Sequence, residues 1–268
     1  MKKILEMKKI FALVFAAALF STAPATAMDV MEVVKKANHM SYYKGNDGRA
    51  KVDMKIMDDQ GRARSRQFVI LRKDDEAEDD AKQKFYVFFN KPSDVKKMAF
   101  MVWKNMDRDD DRWLYLPALD LVKRIAASDE RTSFVGSHFF YEDVSGRGIQ
   151  EDSHEILEEN DDYYILKSIP KDGSKVEFAY YKSWVHKGSF LPTKTEYYDA
   201  ADILYRSYHA LKVEMVEGHA TVTQAAMMDN LTGAKTVMSY TSVKYDVGLP
   251  ENIFTERYLR KAPRKYLR

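Results

Sequence analysis

The chain has 268 residues, of which 45% are hydrophobic and 13% aromatic, with 43 Lys and Arg against 41 Asp and Glu and no Cys. Without cysteine, neither a disulfide framework nor lipid attachment through a cysteine side chain is available. The four Lys and one Glu of residues 1–27 account for the net positive charge. Without them the formal net charge falls from +2 to −1, which argues against nucleic acid as a partner.

The first 27 residues have the pattern of a secretory signal peptide. They contain four lysines within the first nine residues, continue through an uncharged apolar run at residues 10–20, and end in the small-residue sequence Ala-Thr-Ala at residues 25–27. The apolar run is shorter than the roughly 20 residues of a membrane-spanning helix. We therefore expect secretion across the inner membrane, cleavage after Ala27 and a periplasmic mature protein.

The mature chain is predicted to begin with one helix followed by a hairpin. Residues 29–43 are typical of an amphipathic helix, because Asp29 can cap it and apolar residues recur at helical spacing. Residues 49–56 alternate between charged and apolar side chains, which predicts a strand with one wet face. A loop at residues 58–61 then reverses the chain into a second strand at 62–72.

Most of the remaining chain is predicted to form strands at hairpin spacing. Apart from Lys84, residues 84–89 and 98–103 are apolar without a polar face, so both faces of these strands should be covered. A second helix is predicted at residues 251–259, after Pro250. Further strands are predicted at residues 113–116, 121–126, 153–158, 163–169, 175–181, 193–198, 203–216, 221–228 and 236–245.

About a dozen strands with one or two helices indicate a mainly β protein (α+β) built as a long antiparallel meander. A sheet of this many twisted strands tends to curl, so we expect it to wrap around a helix. No linker or repeat divides residues 28–268, which we expect to form a single domain. The helices either fill the concave face and make a core, or leave a ligand pocket.

Three charged segments interrupt the apolar pattern. Residues 74–80 and 107–111 are acidic, and residues 257–268 contain six Lys and Arg. We expect the two acidic segments to be solvated loops and residues 256–268 to be a solvated basic tail. These interpretations are favoured over docking sites.

Sequence motifs of catalysis are absent from the chain. It contains no G-x-S-x-G elbow, H-E-x-x-H zinc helix, P-loop or dinucleotide fingerprint, and its six histidines stand singly. Ser137 and His138 form the one local pair that a hydrolase of envelope lipid could use. We therefore expect no enzymatic activity, no cofactor and no metal site.

Residues 112–144 combine many aromatic side chains with fixed charges and admit two interpretations. In the first, they form a hairpin and part of the core. In the second, they form one wall and the rim of an apolar cavity. The 17 Tyr, 14 Phe and 14 Met of the chain suit a surface for apolar ligands, although core packing is commoner for any single residue.

Six segments between residues 92 and 144 form a recognisable series. They are PSDV at 92–95, MAFMVW at 98–103, WLYLP at 113–117, VKRI at 122–125, SFVGS at 133–137 and YEDV at 141–144. This series resembles the outer-membrane lipoprotein-sorting, or LolA-like, family and most closely the branch found with RND-type exporters. The chain departs from the family at Lys97, where a small residue is expected, and at His138, where an acidic residue is common.

The resemblance implies a half-open β-barrel of antiparallel strands with one or two helices packed in its concave face and an apolar cavity between them. It also implies a periplasmic carrier that binds a lipid or a lipoprotein acyl chain and passes it towards the outer membrane, without catalysis. The implied partners are a lipid or an acylated protein and an RND-type inner-membrane exporter, and a monomer is expected.

Strand register decides which alternate side chains face such a cavity. Lys123, Arg124 and Arg147 are predicted near its mouth as contacts for a polar head group. The predicted apolar lining is Phe85, Val87, Phe89, Phe100, Val102, Trp113, Tyr115, Phe139 and Tyr141.

A second hypothesis uses the same fold with a filled core. In that case the protein is a non-enzymatic periplasmic adaptor or sensor that docks on an exporter or another envelope protein through its charged segments. A contiguous apolar void would distinguish the carrier from the docking module.

Overall fold

The computed structural model describes residues 28–74, 80, 82–105 and 108–268, so the predicted signal peptide lies outside the described residues. The described chain contains three α-helices: α1 (Val30–Tyr42), α2 (Tyr141–Ser145) and α3 (Glu256–Arg260). Its strands are β1 (Asp47–Met57), β2 (Ala63–Asp74), β3 (Gln83–Lys91), β4 (Ala99–Lys104), β5 (Asp111–Leu116), β6 (Leu121–Ile125), β7 (Asp152–Glu159), β8 (Tyr163–Pro170), β9 (Tyr180–His186), β10 (Pro192–Tyr198), β11 (Leu204–Val216), β12 (His219–Asp229) and β13 (Lys235–Tyr245).

All 13 strands belong to one antiparallel sheet. Its order is β6-β5-β4-β3-β2-β1-β13-β12-β11-β10-β9-β8-β7, so the pairing of β1 with β13 joins two meanders. Strands β6 and β7 form the two edges and do not pair, which leaves the barrel half open. The chain from β6 to β7 carries α2 and several 3-10 turns across the concave side. The predicted meander and half-open barrel are confirmed.

Helix α1 lies against the concave face near the β7 edge. The Asp29 side chain accepts a hydrogen bond from the Met31 amide at 2.8 Å, which satisfies one donor of the first turn. Glu32 in the first turn pairs with Lys36 at 2.7 Å. The apolar stripe of the helix is buried against β8 and β9, in a cluster that contains Val33, Val34, Ala37, Tyr164, Leu166 and Val185.

The paired strands β3 and β4 are covered on both faces, as their continuous apolar sequences predict. Phe85 and Phe100 point into the concave core, whereas Tyr86 and Met101 point to the outer face. All four side chains are almost fully buried. These strands lack a polar face because this part of the sheet lies between two apolar layers.

The outer layer is supplied by the C-terminal segment. Leu259 is only 1% exposed and packs with the outer side chains of β2 to β5. The Trp103 indole donates to the Phe254 carbonyl at 2.9 Å, and the Tyr86 hydroxyl donates to the Tyr258 carbonyl at 2.8 Å. The basic C-terminal segment is therefore docked on the sheet and is not a free tail. The predicted helix at 251–259 is divided into a 3-10 turn and the short α3.

The segment that follows β6 fills one part of the barrel with aromatic side chains. Phe134 lies on a 3-10 turn, is completely buried, and contacts four rings at centroid distances of 5.5 to 6.1 Å. Those rings are Phe68, Phe89, Phe100 and Tyr141. Most of the stretch at 112–144 is therefore hairpin and core.

The strand predicted at residues 175–181 is displaced to Tyr180–His186. Residues 173–175 form a 3-10 turn, and Phe178 is buried outside any strand. Its ring lies 4.8 Å from the Arg131 guanidinium and 5.5 Å from the Tyr181 ring. Phe178 therefore packs into the barrel from a loop. In the sequence, a buried apolar residue of a loop looks the same as one on the buried face of a strand.

The acidic segments are less solvated than predicted where the structure describes them. Asp74 pairs with Arg72 at 3.0 Å, and burial raises the pKa of Asp74 to about 6. Asp110 pairs with Arg112 at 2.8 Å, and both side chains are largely buried. These carboxylates are fixed by arginines, while residues 75–79 and 107 lie outside the described residues. No helix among the described residues is long and apolar enough to cross a membrane.

Candidate functional site

A cavity of about 420 Å³ lies between α1 and the concave face of the sheet. This volume falls within the roughly 300–1,000 Å³ of small-molecule sites. The void lies between the aromatic cluster around Phe134 and the cluster beneath α1. The helix and the segment that follows β6 therefore do not fill the barrel completely.

The middle of the cavity is apolar. Its walls come from α1, from β1 to β3, from β7 to β13 and from the segment that contains α2. The apolar side chains in the wall include Val34, Ala37, Ile70, Phe85, Phe139, Leu166, Val185, Met227 and Met238.

Besides Tyr245 at the end of β13, five tyrosines add hydroxyl groups to this wall: Tyr42, Tyr181, Tyr197, Tyr208 and Tyr240. Burial raises the pKa of Tyr197 and of Tyr240 to about 12, with a further contribution from the Asp143 carboxylate. The pKa of each of the other three is raised by burial as well. The rings therefore present neutral hydroxyl groups to the cavity at physiological pH.

An ion-pair network borders the cavity at α2. The Glu142 carboxylate lies between Arg131 and Arg147, with an Arg147 Nη1 to Glu142 Oε1 distance of 3.0 Å. Burial alone would raise the pKa of Glu142, but the two guanidinium groups lower it below its usual value. Arg147 also pairs with Asp152 at 3.1 Å, and Arg131 pairs with Glu177 at 2.6 Å. Each charge in this network has a partner, so the network anchors α2 to the barrel wall.

Three carboxylates of this region, those of Glu130, Glu142 and Glu151, lie within 4.8 Å of one another. Each of them is paired with an arginine: Glu130 with Arg112 at 2.6 Å, and Glu151 with Arg147 at 2.9 Å. Burial raises the pKa of Glu130 to about 7, which weakens it further as a ligand for a cation. The trio is an element of the ion-pair network.

A different polar cluster lies where β1 begins and β13 ends. Lys44 lines the cavity, and its ammonium group donates to the Ala220 carbonyl at 2.6 Å. Thr221 Oγ1 and the Tyr245 hydroxyl lie 2.8 Å apart beside it. Burial and the nearby Arg72 lower the pKa of Lys44 to about 8.

Of the nine apolar residues predicted to line a cavity, Phe85 and Phe139 do so. Five others lie on the concave side but belong to the solid aromatic core: Val87, Phe89, Phe100, Val102 and Tyr141.

Trp113 and Tyr115 lie on the opposite face of the sheet, against the C-terminal segment. Within β5 it is Leu114 that pairs with Phe100 and joins the concave core. The prediction for Trp113 and Tyr115 is wrong by one residue of register, which reverses the face of every side chain in a strand.

The three predicted head-group contacts are separated by the fold. Arg147 lines the cavity, within the ion-pair network. Arg124 lies on the edge strand β6, where it pairs with Asp111, and Lys123 is exposed on the same strand. Neither Lys123 nor Arg124 is among the described residues that line the cavity.

The sequence interpretation did not identify the wall formed by β8 to β13. Alternation in β9 places Tyr181, Ser183 and Val185 on the cavity side, and β10 contributes Thr195 and Tyr197. That alternation is visible in the sequence, but only the curl of the sheet places these strands opposite Phe85.

Ser137 and His138 do not form a nucleophile and base pair. The Ser137 hydroxyl donates to the Phe139 carbonyl at 3.2 Å, and the His138 imidazole lies 2.8 Å from the Thr236 hydroxyl. Burial lowers the pKa of His138. The two side chains have separate structural partners.

A family model described as that of an uncharacterised protein matches residues 81–261 of this chain. No curated protein matches it.

Three solved structures share its fold over most of the chain. A DUF1329 family protein from Desulfovibrio piger is 29% identical, with a TM-score of 0.77 and coverage of 87% of this chain and 100% of that one. A putative outer membrane lipoprotein-sorting protein domain from Vibrio parahaemolyticus is 26% identical, with a TM-score of 0.77 and coverage of 86% and 98%. A LolA superfamily protein from Nitrosomonas europaea is 20% identical, with a TM-score of 0.67 and coverage of 87% and 100%.

Proposed function

Because this chain belongs to the LolA-like family, we propose that it carries a lipid or a lipoprotein acyl chain through the periplasm towards the outer membrane. The similarity to a putative outer membrane lipoprotein-sorting domain supports this direction of transport.

The observation that carries the proposal is the void of about 420 Å³ between α1 and the sheet. An acyl chain gains roughly 0.8 kcal/mol for each methylene that leaves water, so even a partly buried chain is held firmly. A filled barrel would offer no such site. We propose Phe85 and Phe139 as contacts of the chain, because both line the void and both extend into the adjoining core.

The location and the partner rest on the sequence. The signal-peptide pattern of residues 1–27 supports the periplasm, and the resemblance of residues 92–144 to the branch found with RND-type exporters supports such an exporter as the partner of a monomeric carrier.

The carrier function is tested by native mass spectrometry and lipid extraction on protein purified from its own periplasm without detergent. The informative variant is Ala37→Phe, because Ala37 lines the cavity from α1 and a phenyl ring there occupies ligand space. The matched control is Lys35→Phe on the exposed side of the same helix.

We expect the unchanged protein and Lys35→Phe to retain a lipid or acylated peptide and Ala37→Phe to lose it. If the new ring displaces only two methylenes of the bound chain from the cavity, the loss of binding free energy is roughly 1.6 kcal/mol, which corresponds to a more than tenfold loss of affinity. A ligand-free mass for the unchanged protein, with no uptake of a fluorescent acyl probe, would refute the carrier function and favour a docking adaptor.

A further inference from the structure

The polar cluster of Lys44, Thr221 and Tyr245 contains a buried cation without a buried anion. Lys44 is 6% exposed and lines the cavity, and its ammonium lies 6.0 Å from the centre of the Tyr245 ring. An ammonium group has three donors, and the described contacts of Lys44 use one of them, for the Ala220 carbonyl.

Carboxylates near Lys44 are engaged elsewhere. Asp47 accepts from the amides of Val247 and Leu249, both at 2.6 Å. Asp246 accepts from the Asn46 amide at 2.7 Å.

Two further acids, each tied to its own partner, complete the surroundings. Asp74 pairs with Arg72 at 3.0 Å, and Glu217 accepts from the Tyr245 amide at 2.8 Å. Within the part of the chain that the structure describes, Lys44 forms no salt bridge. Burial of a charge without a counter-ion is costly, so an anion brought by the ligand would be strongly favoured at this position.

The cluster opens onto the apolar part of the same cavity. Thr221 and Tyr245 each line the void, as do the apolar side chains of Met227 and Met238 on the same two strands. A ligand that lies along these strands would meet the Lys44 ammonium and two hydroxyl groups at one end, and the apolar side chains of Met227 and Met238 beyond them.

From this juxtaposition we infer that the cavity binds a single-chain amphiphile that ends in a free carboxylate, of the fatty-acid class, with the carboxylate against Lys44, Thr221 and Tyr245. The inference rests on the proposed carrier function and narrows its ligand. The carbonyl end of an ester-linked or amide-linked acyl chain is neutral, so it lacks the anion that this end of the cavity would neutralise.

The expected pH dependence follows from the groups that face Lys44. These are Arg72 on β2, Thr221 on β12, and Tyr245 on β13 with the His219 ring at 4.6 Å from it. Since the pKa of Lys44 in the empty protein is about 8, its ammonium is present below that pH and is lost above it. Binding of a carboxylate should weaken as the pH rises through this range, while binding of a neutral chain should not change.

The test compares laurate with dodecanol, which share one chain length and differ in the charged end. Titration calorimetry is performed on the mature protein after removal of co-purified lipid. We expect Lys44→Met to weaken laurate binding on the order of tenfold to a hundredfold, as for a hydrogen bond to a charged group, and to change dodecanol binding less than about threefold.

Two further variants control this measurement. Lys44→Arg keeps the charge and should keep the preference for laurate, which excludes a folding defect as the cause of the loss. Lys55→Met removes an exposed lysine of β1 and should leave both affinities unchanged.

The outcomes separate this inference from the carrier proposal. If the unchanged protein binds laurate and dodecanol equally, or if Lys44→Met weakens both equally, the carboxylate site is refuted and the carrier stands. Tighter binding of dodecyl phosphate than of laurate would also refute the carboxylate class. If neither chain binds, both proposals fail.

Discussion

Lys44 should make the empty protein less stable, because a buried ammonium loses its hydration without gaining a counter-ion. Its pKa is about 8 in the folded state, against 10.5 for the ordinary side chain. Between these two values the unfolded chain binds more protons than the folded one. Stability contributed through this group therefore rises as the pH increases from about 8 to 10.5 and is lowest below pH 8.

We expect Lys44→Met to raise the free energy of unfolding at pH 7 by about 1–3 kcal/mol, since one pKa unit corresponds to roughly 1.4 kcal/mol. The gain should shrink at pH 10, where the lysine of the parent protein is mostly neutral. Urea unfolding of both proteins at the two pH values measures this difference. A variant that is less stable than its parent at pH 7 would contradict the prediction.

At the scale of elements, the 3-10 turn at Phe134–Gly136 forms part of the core and not the rim of the cavity. It places Phe134 at the centre of four aromatic rings, and Val135 and Gly136 on this turn both have positive φ, at 50° and 76°. The Arg64 side chain donates to the Gly136 carbonyl at 2.7 Å and ties the turn to β2. The turn therefore fills one part of the barrel with aromatic core.

Phe134→Ala should lower the free energy of unfolding by about 3–5 kcal/mol, because a buried phenyl ring is replaced by a void. The control is Leu119→Ala on the 3-10 turn between β5 and β6, where the side chain is 71% exposed and a change within about 0.5 kcal/mol is expected. Chemical denaturation followed by tryptophan fluorescence compares the two variants. Equal stability of both would show that the aromatic cluster is not the organising core.

At the scale of the whole molecule, the C-terminal segment turns a half-open sheet into a three-layer structure over β2 to β5. Its basic side chains remain largely at the surface, while Leu259, Tyr266 and Leu267 pack on the outer face. Lys84 on β3 also pairs with Glu251 at 2.6 Å. The charge pattern of the segment is compatible with solvent on one side and packing on the other.

Deletion of residues 256–268 should lower stability by about 3 kcal/mol or more, because several buried apolar side chains lose their cover at roughly 1.5–3 kcal/mol each. The double substitution Arg264→Ala and Lys265→Ala removes charge but keeps the apolar contacts, and should change stability little. Thermal unfolding and light scattering of the three proteins measure the effect. Undiminished stability of the truncated protein would mean that the segment is a solvated tail after all.

Local patterns in the sequence determined the elements of this protein. Alternating polarity located most of the strands, Asp29 marked the start of α1, and the segments at 92–144 led to the correct family and barrel. These features depend on neighbours within a few residues or on a short series of motifs, so they can be seen without the fold.

Only the tertiary structure decided what surrounds the cavity. Phe85 and Val87 point to the same side of β3, yet the first lines the void and the second is enclosed by core. One residue of register sends Trp113 to the opposite face. Lys44 reaches Ala220 across 176 positions of the chain. Such positions depend on how far the sheet curls and on what packs inside it, and both are set by contacts between residues that are distant in the sequence.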